Sequence, residues 1–316
     1  MTKMLLATVA LAAGLSAQAA VADITVYTAG PAKLIENLSA GFTAKTGIKV
    51  DVFQATTGKV MARLAAEEAN PVADVVISAS WDTATTMAAE GKLLPYTSPN
   101  AAMVPDFLKT DTAVAQGISA LAIAWNPTSG LPKPADWADL ATPEYKNMVT
   151  LPDPAKSGSM FELVAALDGA IGAQIFDDLA ANGAIIAGAN ADALNPVLQG
   201  AKGAVFGAVD YISMAAAAKG ETVEVIFPAS GTVVAPRPAM ILQSSQQPEE
   251  AKQFIDYMLS DEGQEMVAKT FLMPARTDVP AKRPRIDELK LLPLDSAAAY
   301  GARAETLKAF AASFGS

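Results

Sequence analysis

Residues 23–77 read DITVYTAGPAKLIENLSAGFTAKTGIKVDVFQATTGKVMARLAAEEANPVADVVI. Three short β-branched runs, Ile24 to Tyr27, Ile48 to Phe53 and Val72 to Ile77, alternate here with two longer segments of helical period, Ala32 to Thr46 and Gly58 to Ala69. Gly47 follows the first helical segment directly, the position where a left-handed residue ends a helix. Strands separated by helices of this length predict βαβ units and a mainly parallel sheet, hence an α/β fold.

The same rhythm continues outward. Trp81 to Glu90 is expected as a helix stopping at Gly91, and Gly117 to Trp125 as a strand. Asn126 to Pro134 is rich in turn residues and marks a boundary. A second α/β set follows, with strands at Val149 to Leu151, Ala184 to Ala187, Ala204 to Val209 and Val223 to Phe227. Its helices are expected at Ser159 to Ala170, Ala173 to Ala181, Asp192 to Gln199 and Tyr211 to Lys219. Val233 to Leu242 reads as a strand returning to the first set, then Pro248 to Ser260 and Asp261 to Thr270 as helices in series, and the alanine-rich tail from Leu289 as helical packing.

Ahead of Asp23, Lys3 gives a positive start, Met4 to Leu15 an apolar run and Ala20-Val21-Ala22 a small-residue end. That is the layout of a secretory signal peptide cleaved after Ala22, with an apolar run shorter than the roughly 20 residues of a membrane span. Its removal takes away one charge, Lys3, and shifts the net charge of −10 to about −11. An acidic chain is a poor partner for nucleic acid, which binds clustered Lys and Arg. It remains compatible with an anionic ligand, since a closed pocket is governed by local dipoles.

The 316 residues contain no cysteine and no histidine. The fold therefore rests on its core without disulfides. Ser-His-Asp and Cys-His hydrolases and His-ligated zinc are excluded. No catalytic residue, metal or cofactor is expected.

Several blocks together resemble one family of periplasmic receptors, that of the ferric-ion, 2-aminoethylphosphonate and sugar-phosphate binders. They are Ile24-Thr25-Val26-Tyr27 with Phe42 and Thr46 to Val50; Arg63 to Glu67 with Asn70 to Val75; and Ala251 to Phe254, Leu259 to Gln264 and Met273 to Val279. The resemblance implies a two-lobe, type II periplasmic-binding-protein fold, each lobe a mainly parallel sheet flanked by helices. Lobe 1 is expected to comprise residues 23–117 and 236–276, and lobe 2 residues 118–235 and 277–316. It also implies a monomer that delivers a solute to the membrane subunits of an ABC importer.

Ligands of open α/β sheets lie beyond the carboxyl ends of the strands. Thr56-Thr57-Gly58 opens a helix, where free N–H groups and the helix dipole favour an oxyanion, unless Thr57 is only an N-cap. Ser157-Gly158-Ser159, beside Lys156, forms the strongest oxyanion cradle, with capping again the alternative. A Ser–Lys nucleophile pair has no support from adjacent loop positions. Ser78 and Ser80 end the third strand, where Trp81 either covers a ligand or simply packs. Thr28 ends the first strand in the same manner.

Asp210-Tyr211 falls at the family's signature ligand loop. Ferric members carry two adjacent tyrosines there, a histidine in the first loop and a glutamate in the third. Asp210, Pro31 and Ala79 stand at three of those four points. The Asp210 carboxylate suits an ammonium group, or caps its helix. Arg237, between Pro236 and Pro238, either clamps an anion or is solvated. The sequence thus points to a small anionic or zwitterionic solute, phosphonate- or phosphate-bearing, such as 2-aminoethylphosphonate. Ferric-ion binding and secreted phosphoester hydrolysis are the alternatives.

Overall fold

The computed structural model describes residues 22–315. The expected export segment, residues 1–22, lies outside them but for its last residue. In chain order the elements are β1 (Ile24–Thr28), α1 (Ala32–Thr46), β2 (Val50–Gln54), α2 (Thr57–Ala66), β3 (Val75–Ile77), α3 (Asp82–Ala89) and β4 (Val114–Trp125). Then come β5 (Val149–Leu151), α4 (Gly158–Ile171), α5 (Gln174–Ala181), β6 (Ile185–Ile186), α6 (Asn190–Leu198), β7 (Ala204–Val209), α7 (Asp210–Ala218), β8 (Glu224–Ile226) and β9 (Val234–Ile241). The chain closes with α8 (Pro248–Met258), α9 (Asp261–Lys269), β10 (Met273–Pro274), α10 (Ser296–Gly301) and α11 (Arg303–Ser313).

The α/β class expected from the sequence is the one observed, as a mixed sheet flanked by helices. Its strands run in the order β2-β1-β3-β9-β4-β7-β5-β6, with β8 and β10 also paired to β4. Pairing is parallel toward both edges, among β2, β1 and β3 and among β6, β5 and β7. It turns antiparallel in the middle, where β4 meets β9 and β7. All positions of β4 are buried, as befits a strand covered on both faces.

Two cores result. One joins residues from Ile24 to Ala120 with Ala239 to Ala275; the other joins Leu121 to Ala235 with Phe310 from α11. The strand β4 therefore passes from one core to the other between Ala120 and Leu121 and β9 passes back; the parts built on the first and second core are called lobe 1 and lobe 2 below. In α1, Leu34, Ile35, Leu38 and Phe42 form the buried stripe, and Phe42 meets Phe254 edge-on with centroids 5.4 Å apart. Gly47, at φ 80°, ends that helix in the left-handed conformation.

Two strands start three residues away from their expected positions. The third strand begins at Val75 rather than Val72, because Pro71 donates no N–H and Asp74 turns inward, its Oδ2 accepting from the Thr25 amide at 2.8 Å. The strand β4 begins three residues early, carrying the polar Gln116 into the interior.

Candidate functional site

The loops that follow β1, β2, β5, β6 and β7 converge on a crevice of about 1050 Å³ between the lobes. Ala29, Gly30, Pro31, Thr56 and Thr57 line it from lobe 1; Ser157, Gly158, Asn190, Asn195 and Tyr211 face them from lobe 2. Five lysines, at 33, 59, 156, 219 and 269, stand around it with one acid, Glu221. The crevice is thus locally basic in a chain whose net charge is −10.

The start of α2 is capped by Thr56, whose hydroxyl accepts from the Lys59 amide. This releases the neighbouring hydroxyl: Thr57 Oγ1 is buried without a hydrogen-bond partner among the described residues. At α4, Ser157 is the N-cap; its Oγ accepts from the Met160 amide at 3.2 Å, donates to Asn190 Oδ1 at 2.8 Å and lies 3.2 Å from Ser159 Oγ. The crevice end of α4 is thus a connected set of hydroxyls and an amide at the positive end of a dipole.

Beneath Gly30 sits a group the sequence only half reveals. A Cβ at Gly30 would lie 3.0 Å from Thr28 Oγ1, 3.7 Å from Gln116 Oε1 and 4.0 Å from Arg237 Nη2, so glycine leaves these polar atoms close under the crevice floor. Arg237 is 2% exposed. Its Nη2 donates to the Ala29 carbonyl at 2.5 Å, and its guanidinium stands 5.8 Å from the Tyr211 ring centre. Arg237 Nε and Gln116 Oε1 have no hydrogen-bond partner among the described residues. Burial pushes the Arg237 pKa down and the Tyr211 pKa up, and each partly offsets the other's shift.

Of the thirteen residues singled out in the sequence, Thr56, Thr57, Ser157, Gly158 and Tyr211 line the crevice. Gly58 stands at its lip, where a Cβ would be 3.6 Å from the Ala155 carbonyl of the other lobe. The rest lie behind. Thr28 Oγ1 accepts from the Gly30 amide, and Ser78 Oγ pairs with Thr83 Oγ1, so both shape their own loops. Ser80 Oγ donates to Glu162 Oε1 at 2.6 Å, and the Trp81 amide donates to the same oxygen at 3.3 Å. Trp81 itself packs on the lobe 1 core. Ser159 reaches the crevice only through Ser157.

The expectation for Asp210 needs correcting. Its carboxylate is wholly buried, with Oδ2 taken by Arg283 and the Ala120 amide and Oδ1 by the Tyr211 amide. It is therefore spent on the protein and offers nothing to an ammonium group. Crevice residues that escaped the sequence reading include Gly30, Asn190, Asn195 and the lysines at 33, 59, 219 and 269. Gly30 lay in a candidate loop without bearing a functional group, and the asparagines read as ordinary helix-start and helix residues. Among the described residues, no group of three or more acidic side chains is placed to hold a metal.

Residues 70–297 match the model of the bacterial extracellular solute-binding proteins. A putative 2-aminoethylphosphonate-binding periplasmic protein of Salmonella typhimurium is 27% identical over 259 residues, covering 75% of this chain and 73% of that one. Among solved structures, the periplasmic binding protein AfuA of Actinobacillus pleuropneumoniae, with fructose-6-phosphate bound, superposes with a TM-score of 0.84 at 22% identity, covering 93% of this chain and 99% of its own. Iron-bound HitA of Pseudomonas aeruginosa gives a TM-score of 0.79 at 24% identity, with the same coverage. At these identities the two structures establish the fold alone.

Proposed function

Because this chain belongs to the bacterial extracellular solute-binding proteins, we propose that it is the periplasmic receptor of an ABC importer and closes on a small anionic solute bearing a phosphonate or phosphate group. The observation that carries this reading is Arg237, a buried guanidinium with an unpartnered Nε under a crevice edged by lysines. A buried cation whose nearest acids, Glu162 and Asp210, are engaged by other donors is costly, and a bound anion lowers that cost. The free Thr57 hydroxyl and the hydroxyl set at the start of α4 supply neutral hydrogen bonds to its oxygens, at two helix N-termini where the backbone dipoles favour negative charge. Since the two sets belong to different lobes, an anion engages both only when the crevice is shut, so binding shifts the population toward the shut form.

2-Aminoethylphosphonate is the first compound to test, because a relative aligned over 73% of its own length carries that name. The ferric alternative is weakened by the commitment of Asp210 to Arg283, which leaves Tyr211 as the one anionic-oxygen donor of its loop. The test is a thermal-shift panel of 2-aminoethylphosphonate, other phosphonates, sugar phosphates, inorganic oxyanions and ferric citrate. A ligand at a hundred times its Kd stabilises the protein by about 2.7 kcal/mol. A rise with one or more organophosphorus anions supports the reading; a rise with ferric citrate alone, accompanied by a tyrosinate colour band, defeats it.

A further inference from the structure

Glu162 is the single charged residue in the run Gly158 to Ala166, and the helix α4 buries it almost completely. Its side chain does not line the crevice, although its charge lies near that of Arg237. Its Oε1 accepts from the Ser80 hydroxyl and the Trp81 amide, both contributed by lobe 1, whereas α4 belongs to the core of lobe 2. Its other oxygen, Oε2, is buried with no hydrogen-bond partner among the described residues. The approach of the lobes here is close: a Cβ at the neighbouring Gly158 would fall 2.7 Å from Ser80 Cβ. One residue further on, Asp82 lies 3.6 Å from Arg303 of α11, so residues 80–82 grip lobe 2 at consecutive points.

We infer that Glu162 is the positioning residue that holds the crevice shut, gripping residues 80 and 81 across it, and that shutting takes up one proton. The inference rests on the reading of this chain as a closing two-lobe receptor. An ionised carboxylate with one oxygen out of water and unpartnered is strongly disfavoured, whereas the neutral acid accepts the Ser80 and Trp81 bonds without that penalty. When the lobes part, water reaches Glu162 and restores its ordinary acidity.

The charged groups facing it are Asp82 of α3, Arg303 of α11 and Arg237 of β9. Burial, the largest influence, and the charge of Asp82 push the Glu162 pKa up to about 8, while the Ser80 and Trp81 bonds and Arg303 act in the opposite direction. A pKa higher in the shut form than in the open form means that the shut form holds the extra proton between the two values. Shutting is therefore favoured at acidic pH and weakens as pH rises from the ordinary carboxylate range to about 8.

The absence of cysteine allows two labelling sites to be introduced, Glu36→Cys on the exposed face of α1 and Ala217→Cys on that of α7. Single-molecule energy transfer between them then reports the lobe separation of the full mature chain without ligand. The shut-to-open ratio is expected to fall by up to about tenfold per pH unit between pH 5 and pH 8, to stay flat in Glu162→Gln, and to be low already at pH 5 in Glu162→Ala. A ratio independent of pH, or a fall in Glu162→Gln parallel to that of the parent, overturns the inference. Adding 2-aminoethylphosphonate at fixed pH tests the cargo separately: closure by the ligand with no response to pH removes Glu162 alone, and a response to pH with none to the ligand removes only the cargo.

Discussion

Arg283 Nη2 stands 2.5 Å from Asp210 Oδ2, and neither side chain has any surface exposed to solvent. The pair joins the start of α7 to the segment that follows β10, and Arg283 Nη1 also donates to the Phe271 carbonyl at 2.9 Å. Burial raises the Asp210 pKa, and Arg283 together with the two backbone donors opposes the rise.

Arg283→Met should therefore be severely destabilising. It leaves a carboxylate buried without its cation, which typically costs 3–5 kcal/mol. Chemical denaturation should show a midpoint far below that of the parent with an unchanged slope. A loss under about 1 kcal/mol would mean that the pair is solvated in solution.

Arg237→Met should abolish tight anion binding while leaving a folded protein. Truncating one partner of a buried charge pair costs about 2–5 kcal/mol of binding, or roughly thirtyfold to several-thousandfold in Kd. The unliganded chain should melt within a few degrees of the parent, because an uncompensated buried guanidinium is itself unfavourable. Calorimetric titration with whichever anion scores in the thermal panel reads the first effect, and a melt without ligand reads the second.

Gly158→Ala separates closing from folding. Within the helix alanine is favoured over glycine by up to about 1 kcal/mol, so the unliganded protein should be no less stable. The added methyl would press on Ser80 Cβ at 2.7 Å, and both neighbours belong to packed lobes. Ligand affinity should fall at least tenfold, with the energy-transfer distance remaining at its open value.

Ser157→Ala with Ser159→Ala tests the cradle. Ser157 caps α4, so its loss should lower stability by about 1 kcal/mol, measurable by thermal unfolding without ligand. Binding should weaken well beyond that amount, since the hydroxyl set bonded to Asn190 disappears with it. Unchanged affinity in titration would remove these serines from the site.

The sequence carried the layered order because local chemistry wrote it. The stripe of Leu34, Ile35, Leu38 and Phe42, closed by Gly47, is legible as a helix wherever it occurs. The end of a strand and the start of a helix were equally legible, which is why Thr57, Ser157 and Tyr211 were found at the crevice. What the sequence hides is how each hydroxyl is used. Thr28 and Ser78 resemble Thr57 in composition and position, yet their oxygens close their own loops while that of Thr57 stays free. Long-range partners were hidden too: Arg283 is 73 residues from Asp210, and nothing local couples them. Glu162 did leave a trace, as a lone acid amid apolar neighbours, a pattern that marks a buried ionisable group.

The last part of the chain ties together what precedes it. Residues 290–292 bracket Thr232 in a short parallel bridge, α10 touches both α3 and α4, and Phe310 completes the second core. Residues 290–310 therefore act as a strap laid over the outside of the sheet: cutting them away would bare the α4 side of the second core and strip α3 of its outer partner in one step.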